Sequence, residues 1–162
     1  MKNKKKNLRQ RKYELKKREV GISLQPDSLN KETRELTLSF ASQEPCLIWG
    51  EIEILTVDKE AMDTSRFENG VMPTLFNHNR DNVIACVKDV WVENNIAYAK
   101  IVFDTDELSQ RIMDKVESGS VRGISVGYRV NSYERVEPNS NSTDGFAGPC
   151  WIARKWEVLE IS

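Results

Sequence analysis

The sequence predicts a mainly β domain with helices (α+β), from three observations. Short apolar runs with period-2 alternation recur along most of its 162 residues, as half-buried strands do. A helical period is clear over one stretch, about 105–118. Apolar residues (AVILMFWYC) make up 39 % and charged residues 30 %, which suits a single core at this length.

Residues 1–20 are a charge run in which Leu8, Tyr13, Leu15 and Val20 are too sparse for an apolar stripe. They read as a basic flexible arm, and residues 21–162 as one domain. Between Ser23 and Ser42 the alternating stretch Leu36–Phe40 reads as a strand. In 46–57, Ile52, Ile54 and Val57 fall among polar partners, which predicts a strand from about Leu47. Residues 58–70 are turn-rich, with room for a short helix after Asp63. Residues 71–76 form an apolar approach to Asn77-His78-Asn79.

Strands are predicted at 83–92 and 96–103, joined by the hairpin-type link Glu93-Asn94-Asn95. Asp104-Thr-Asp-Glu107 fits a capping box. Leu108, Ile112, Met113 and Val116 give one apolar face, and Gly119 a helix stop, so a helix spans about 105–118. A strand follows at 121–130. Residues 133–149 are rich in Asn, Ser, Gly and Pro and read as a long loop or insertion. The sequence closes with one or two strands over 150–161.

Composition excludes several classes of function. No stretch approaches the roughly 18 apolar residues of a membrane span. The basic start leads into no apolar run, so neither a secretory signal nor a membrane partner is expected. Cys46, Cys86 and Cys150 are odd in number and widely spaced, against a disulfide framework or zinc site. Residues 1–20 hold ten Lys/Arg against two Glu, whereas the other 142 hold fourteen against twenty-three acidic residues. An acidic body is a poor reader of nucleic acid, so such binding is expected only weakly, through the arm. The single histidine, His78, rules out a two-histidine metal site, and no metal or cofactor is expected.

The strand 121–130 is the most informative element. Its alternation puts Ile124, Val126, Tyr128 and Val130 on one apolar face and Gly123, Ser125 and Gly127 on the other. Two flanking glycines leave the Ser125 hydroxyl unobstructed and leave room for a close backbone, such as a substrate strand added at the sheet edge. A serine needs a base, and an ordinary imidazole, with a pKa of about 6.5, suits that work near neutral pH. That imidazole needs a carboxylate on its other nitrogen. Glu157 and Glu160 are the candidates near the final strand; strict alternation sets Glu157 with Leu159, and Glu160 with Val158 and Ser162.

Four ordered blocks resemble the prohead (head maturation) serine proteases of tailed phages, a family related in fold to the herpesvirus assemblin proteases. They are Trp49-Gly50-Glu51-Ile52-Glu53-Ile54-Leu55; Pro73-Thr-Leu-Phe-Asn-His78-Asn79; Ser118-Gly119 with Arg122-Gly-Ile-Ser125-Val-Gly-Tyr128; and Trp156-Glu-Val-Leu-Glu160-Ile-Ser162. The resemblance covers about residues 34–162. It implies Ser125 as nucleophile, His78 as base and later acid, and Glu160 as the carboxylate that orients His78. It further implies an assemblin-like closed or partly open β-barrel with surrounding helices, so that 21–162 would be one protease domain. The implied substrates are scaffold protein, the major capsid protein's scaffold segment and the chain itself, cut inside the immature phage capsid in the host cytoplasm. Pairing as a homodimer is open on the same grounds.

Family members usually continue past the last block. An end at Ser162 is expected to leave Glu160 weakly held. The rival reading is a non-enzymatic, capsid-associated β-domain in which Ser125 and His78 are merely surface residues.

Overall fold

Period-2 patterning gives long antiparallel strands, and the turn residues set where they fold back. The computed structural model describes residues 14–20 and 28–162. Strand β1 is Lys16–Val20, β2 Glu35–Ser42, β3 Cys46–Ile48, β4 Glu51–Leu55 and β5 Met62–Asp63. Helix α1 (Ser65–Glu68) precedes β6 (Pro73–Phe76), β7 (Asn79–Glu93) and β8 (Ile96–Phe103). Helix α2 is Glu107–Ser118, β9 Ile124–Val136 and β10 Cys150–Ile161.

The strands form one sheet in the order β1-β9-β10-β6-β7-β8-β2, with β4 and β5 also paired to β10, and β3 to β4. The sheet curls into a half-barrel, bringing β2 near β1 and β9. The architecture is thus mainly β with two helices among the described residues, as the α+β reading expects. Inside the curl lie Leu36, Leu38, Phe40, Leu55, Tyr128, Trp156 and Ile161, nearly all fully buried.

Strand β10 organises the sheet. One edge runs antiparallel to β9. The other edge pairs in parallel with β4, then β5, then β6. The chain therefore crosses three earlier segments in sequence, ending with Ile161 opposite Thr74 of β6.

Several local expectations need correction. The single strand expected from Leu47 is a hairpin, because Trp49 and Gly50 both take left-handed backbone (φ 51° and 78°) in a two-residue turn between β3 and β4. The expected loop starts later, since β9 continues to Val136, where Val136 pairs with Cys150. The N-cap of α2 is Asp106, which accepts from the Ser109 N–H, and not Asp104. Gly119 caps the other end with φ 80°, as expected. The Asn94-Asn95 hairpin also forms as expected, with both residues left-handed, the geometry that matches strand twist.

The largest correction concerns the basic arm. Residues 1–13 lie outside the described residues, but Lys16–Val20 is a strand paired along β9. Lys16 and Arg18 are buried, while Lys17 is exposed. Arg18 Nη2 lies 3.2 Å from Glu53 Oε1 and 3.1 Å from the Glu53 carbonyl. Glu53, 0 % exposed, also accepts the hydroxyls of Tyr128 and Tyr133, each at 2.5 Å. Lys16 Nζ stands 5.0 Å from the Trp49 ring centroid, 5.4 Å from Tyr133 and 5.8 Å from Tyr128. A charge leaves water only when paired or faced by such groups. The body carries them ready-made, so a segment that reads as solvated is docked.

Candidate active site

Three local features converge at one end of β9. First, β9 presents its faces as the alternation predicts. Ile124, Val126, Tyr128 and Val130 are buried inside the curl, while Ser125 shares the outer face with Gly127.

Second, His78 sits on the turn between β6 and β7. Phe76 pairs with Asn79, and the two turn residues, Asn77 and His78, have φ of 53° and 54°. Left-handed backbone is uncommon outside glycine, though asparagine and histidine adopt it more readily than most residues. Such a conformation persists only where its surroundings hold it. Here the His78 N–H donates to Ser162 Oγ at 2.9 Å.

Third, β10 brings a carboxylate to the ring. Val158 pairs with Tyr128, and Glu160 with Gly127, so Leu159 is an extra residue in a β-bulge. A bulge sets two residues against one and breaks alternation. Val158 and Ile161 consequently both point inward and are fully buried. Glu157 and Glu160 share the outer face, contrary to the strict alternation expected from the sequence. Glu157 is occupied by Arg66 at 3.2 Å and Arg129 at 2.7 Å. Glu160 Oε1 is hydrogen-bonded to His78 Nδ1.

The result is one hydrogen-bonded chain. His78 Nε2 lies 2.8 Å from Ser125 Oγ, and its other nitrogen faces Glu160. Glu160 is 4 % exposed. A buried carboxylate needs a hydrogen-bonding partner, and the imidazole supplies it. The three residues singled out from the sequence are thus brought together.

Two expectations about Gly127 and the strand edge do not hold. The space over Gly127 is filled by Glu160, whose Cγ would lie 2.4 Å from a Cβ there. The glycine admits the carboxylate, not a substrate backbone. Neither edge of β9 at Ser125 is open either. Glu19 of β1 pairs with Ser125 on one side. On the other, Ser125 N–H donates to the Ser162 carbonyl at 2.8 Å, and Ser162 N–H to the Ser125 carbonyl at 2.9 Å. These bonds pin the backbone two residues beyond Glu160, contrary to the expectation that Glu160 is weakly held. Ser162 ends the last of the four blocks but is not itself the catalytic residue of a sequence motif. Its only signal was a hydroxyl two residues beyond the candidate glutamate.

All three cysteines are free thiols, Cys150 buried and Cys86 exposed. No group of three or more His, Cys, Asp or Glu side chains among the described residues is placed to hold a metal ion.

The protein is thus a mainly β chain whose curled sheet carries a hydrogen-bonded Ser125–His78–Glu160 chain on its outer face. The chain belongs to the caudovirus prohead serine protease family, whose model matches residues 49–162. At the level of that family it is a serine protease of phage head maturation. No curated protein matches it. Among solved structures it is similar to the bacteriophage T4 capsid assembly protease, gp21, at 10 % identity and a TM-score of 0.47, over 92 % of this chain and 95 % of that one.

Proposed function

We propose that the chain is a serine endopeptidase in which Ser125 attacks, His78 moves the proton and Glu160 orients the imidazole. The observation that carries this reading is the 2.8 Å approach of His78 Nε2 to Ser125 Oγ, with Nδ1 engaged by Glu160. As Oγ bonds to the scissile carbonyl carbon, its proton passes to His78 Nε2. Glu160 stabilises the imidazolium so formed and fixes the tautomer that leaves Nε2 free to accept. His78 then protonates the leaving amine, the C–N bond breaks, and an acyl-enzyme remains. Water, deprotonated by the same imidazole, releases the acid.

The oxyanion formed on the way needs aimed donors. The Ser125 N–H is engaged with Ser162, so the donors are assigned to the neighbourhood of Arg122 and Gly123. The curled sheet, with α2 packed against β7 and β8, supports an assemblin-like barrel left open on one side. Family membership supports scaffold protein, the major capsid protein's scaffold segment and the chain itself as substrates, cut within the immature capsid. Incubation with purified capsid precursor tests this. Wild-type protein is expected to trim it and Ser125→Ala to leave it whole with an unchanged circular dichroism spectrum; trimming by the variant would refute the assignment.

A further inference from the structure

We propose that the cavity beside Ser125 is a specificity pocket that takes a large apolar side chain of the substrate at the residue whose carbonyl is attacked. The inference rests on the reading of Ser125 as nucleophile.

A cavity of about 570 Å³ reaches both Ser125 and His78. From there its lining runs along β2 and β8 to α2. With both edges of β9 engaged at Ser125, a substrate cannot add as a neighbouring strand there. The stretch 120–123, which belongs to no strand, forms the cavity's rim beside Ser125. A peptide laid over that rim places its carbonyl at Ser125 and drops the adjoining side chain into the cavity.

The deep walls are aliphatic and aromatic: Leu38 of β2, Ile101 and Phe103 of β8, and Ile112 and Val116 of α2. Among the described residues no Asp or Glu side chain lines the cavity, and the one lysine or arginine side chain on its lining is Arg122, at the rim. Arg122 is tied back, its Nε donating to the Gly119 carbonyl at 2.7 Å. A charged side chain entering would lose its hydration with nothing to replace it, whereas an apolar one gains with the area it buries.

Thr74, 3 % exposed, also borders the cavity, but its hydroxyl is shielded from it and offers a bound side chain no polar contact. Large apolar pockets with few polar groups are the usual form of such sites.

The test uses diphenyl α-aminoalkylphosphonates, in which the serine oxygen bonds to phosphorus and phenol leaves. Probes carrying alanine, leucine, phenylalanine, glutamate and lysine side chains are compared by rate of Ser125 modification, located by mass spectrometry. A small fluorophosphonate without a side chain is run in parallel. The wild-type chain is expected to react with the leucine and phenylalanine probes at least about tenfold faster than with the others, the lower end of what filling an apolar pocket gives. Val116→Phe, which fills the pocket, is expected to collapse the leucine-to-alanine ratio. Ile112→Ala, which enlarges it, should shift preference from leucine toward phenylalanine. Adducts from the fluorophosphonate with equal rates for all side chains, or a preference for a charged one, overturn the pocket alone. So does a ranking unmoved in both variants. No adduct from any reagent overturns the nucleophile reading on which the pocket rests.

Discussion

Gly127 and Glu160 occupy one space: a methyl group on Gly127 would stand 2.4 Å from Glu160 Cγ and 2.9 Å from its Cδ and Oε1. The glycine lets a carboxylate from β10 lie across β9 and meet the histidine. Gly127→Ala should therefore push Glu160 off His78 without touching either residue chemically. The expected outcome is a folded protein whose turnover falls by about 10²–10⁴, within the range set by losing the orienting carboxylate of a triad. Steady-state kinetics on capsid precursor, with thermal unfolding as control, checks it; full turnover would show that the carboxylate's position is immaterial.

The two outward glutamates of β10 should separate cleanly. Glu160→Gln keeps the shape but removes the charge that stabilises an imidazolium, and a drop of about 10²–10⁴ in kcat is expected. Glu157→Gln disturbs only the pairs with Arg66 and Arg129, partly exposed to water, and should stay within about threefold, as such pairs contribute little. The reverse ranking, in parallel kinetics, would move the orienting role to Glu157.

Strand β1 should depend on Glu53. Removing that carboxylate leaves Arg18 buried without its counter-charge and two tyrosine hydroxyls without their acceptor. Glu53→Ala is expected to cost about 3–5 kcal/mol, as breaking a buried pair does, and to release Lys16–Val20 to proteolysis. Urea unfolding and trypsin digestion read the two effects; an unchanged midpoint with β1 still protected would contradict the docking.

The loop between β9 and β10 predicts a pH effect on stability. Arg154 grips Asp144 with two bonds of 2.7 and 2.8 Å, and Ser142 adds a third at 2.6 Å. These bonds, Arg154's first, hold the Asp144 carboxyl well below its ordinary range. A carboxylate depressed in the folded state stabilises it above the unfolded pKa, about 3.9, and that contribution fades as pH falls toward the folded value. Wild type should thus unfold at a higher temperature than Asp144→Asn near neutral pH, and the gap should close on acidification below about pH 4. A gap that widens in acid would reverse the sign.

How much of this was legible in the sequence follows from the residues themselves. Ser125 and His78 were visible because one has a glycine two places away on each side and the other is the only imidazole. The helix at Glu107–Ser118 and the Asn94-Asn95 hairpin were visible because periodicity and turn chemistry are local. Glu160 was legible as one of two candidate carboxylates, and the family resemblance chose it over Glu157. The face it occupies depends on the bulge at Leu159, and a bulge is set by pairing with β9, not by local sequence. The burial of Lys16 and Arg18 was hidden for a similar reason: their partners, Trp49, Glu53, Tyr128 and Tyr133, come from two distant stretches of chain. The role of Gly127 was inverted, since a glycine tells that something approaches and not what.

The central claim is that His78 draws the proton from Ser125. The most direct measurement is the rate at which a small fluorophosphonate modifies Ser125, followed by mass spectrometry across pH in the wild-type chain and in His78→Ala. The imidazole route predicts a single adduct on Ser125, a rate that falls as acid protonates the ring, and a loss of about 10³ or more in the variant. An adduct elsewhere, or equal rates with and without His78 at every pH, would contradict it.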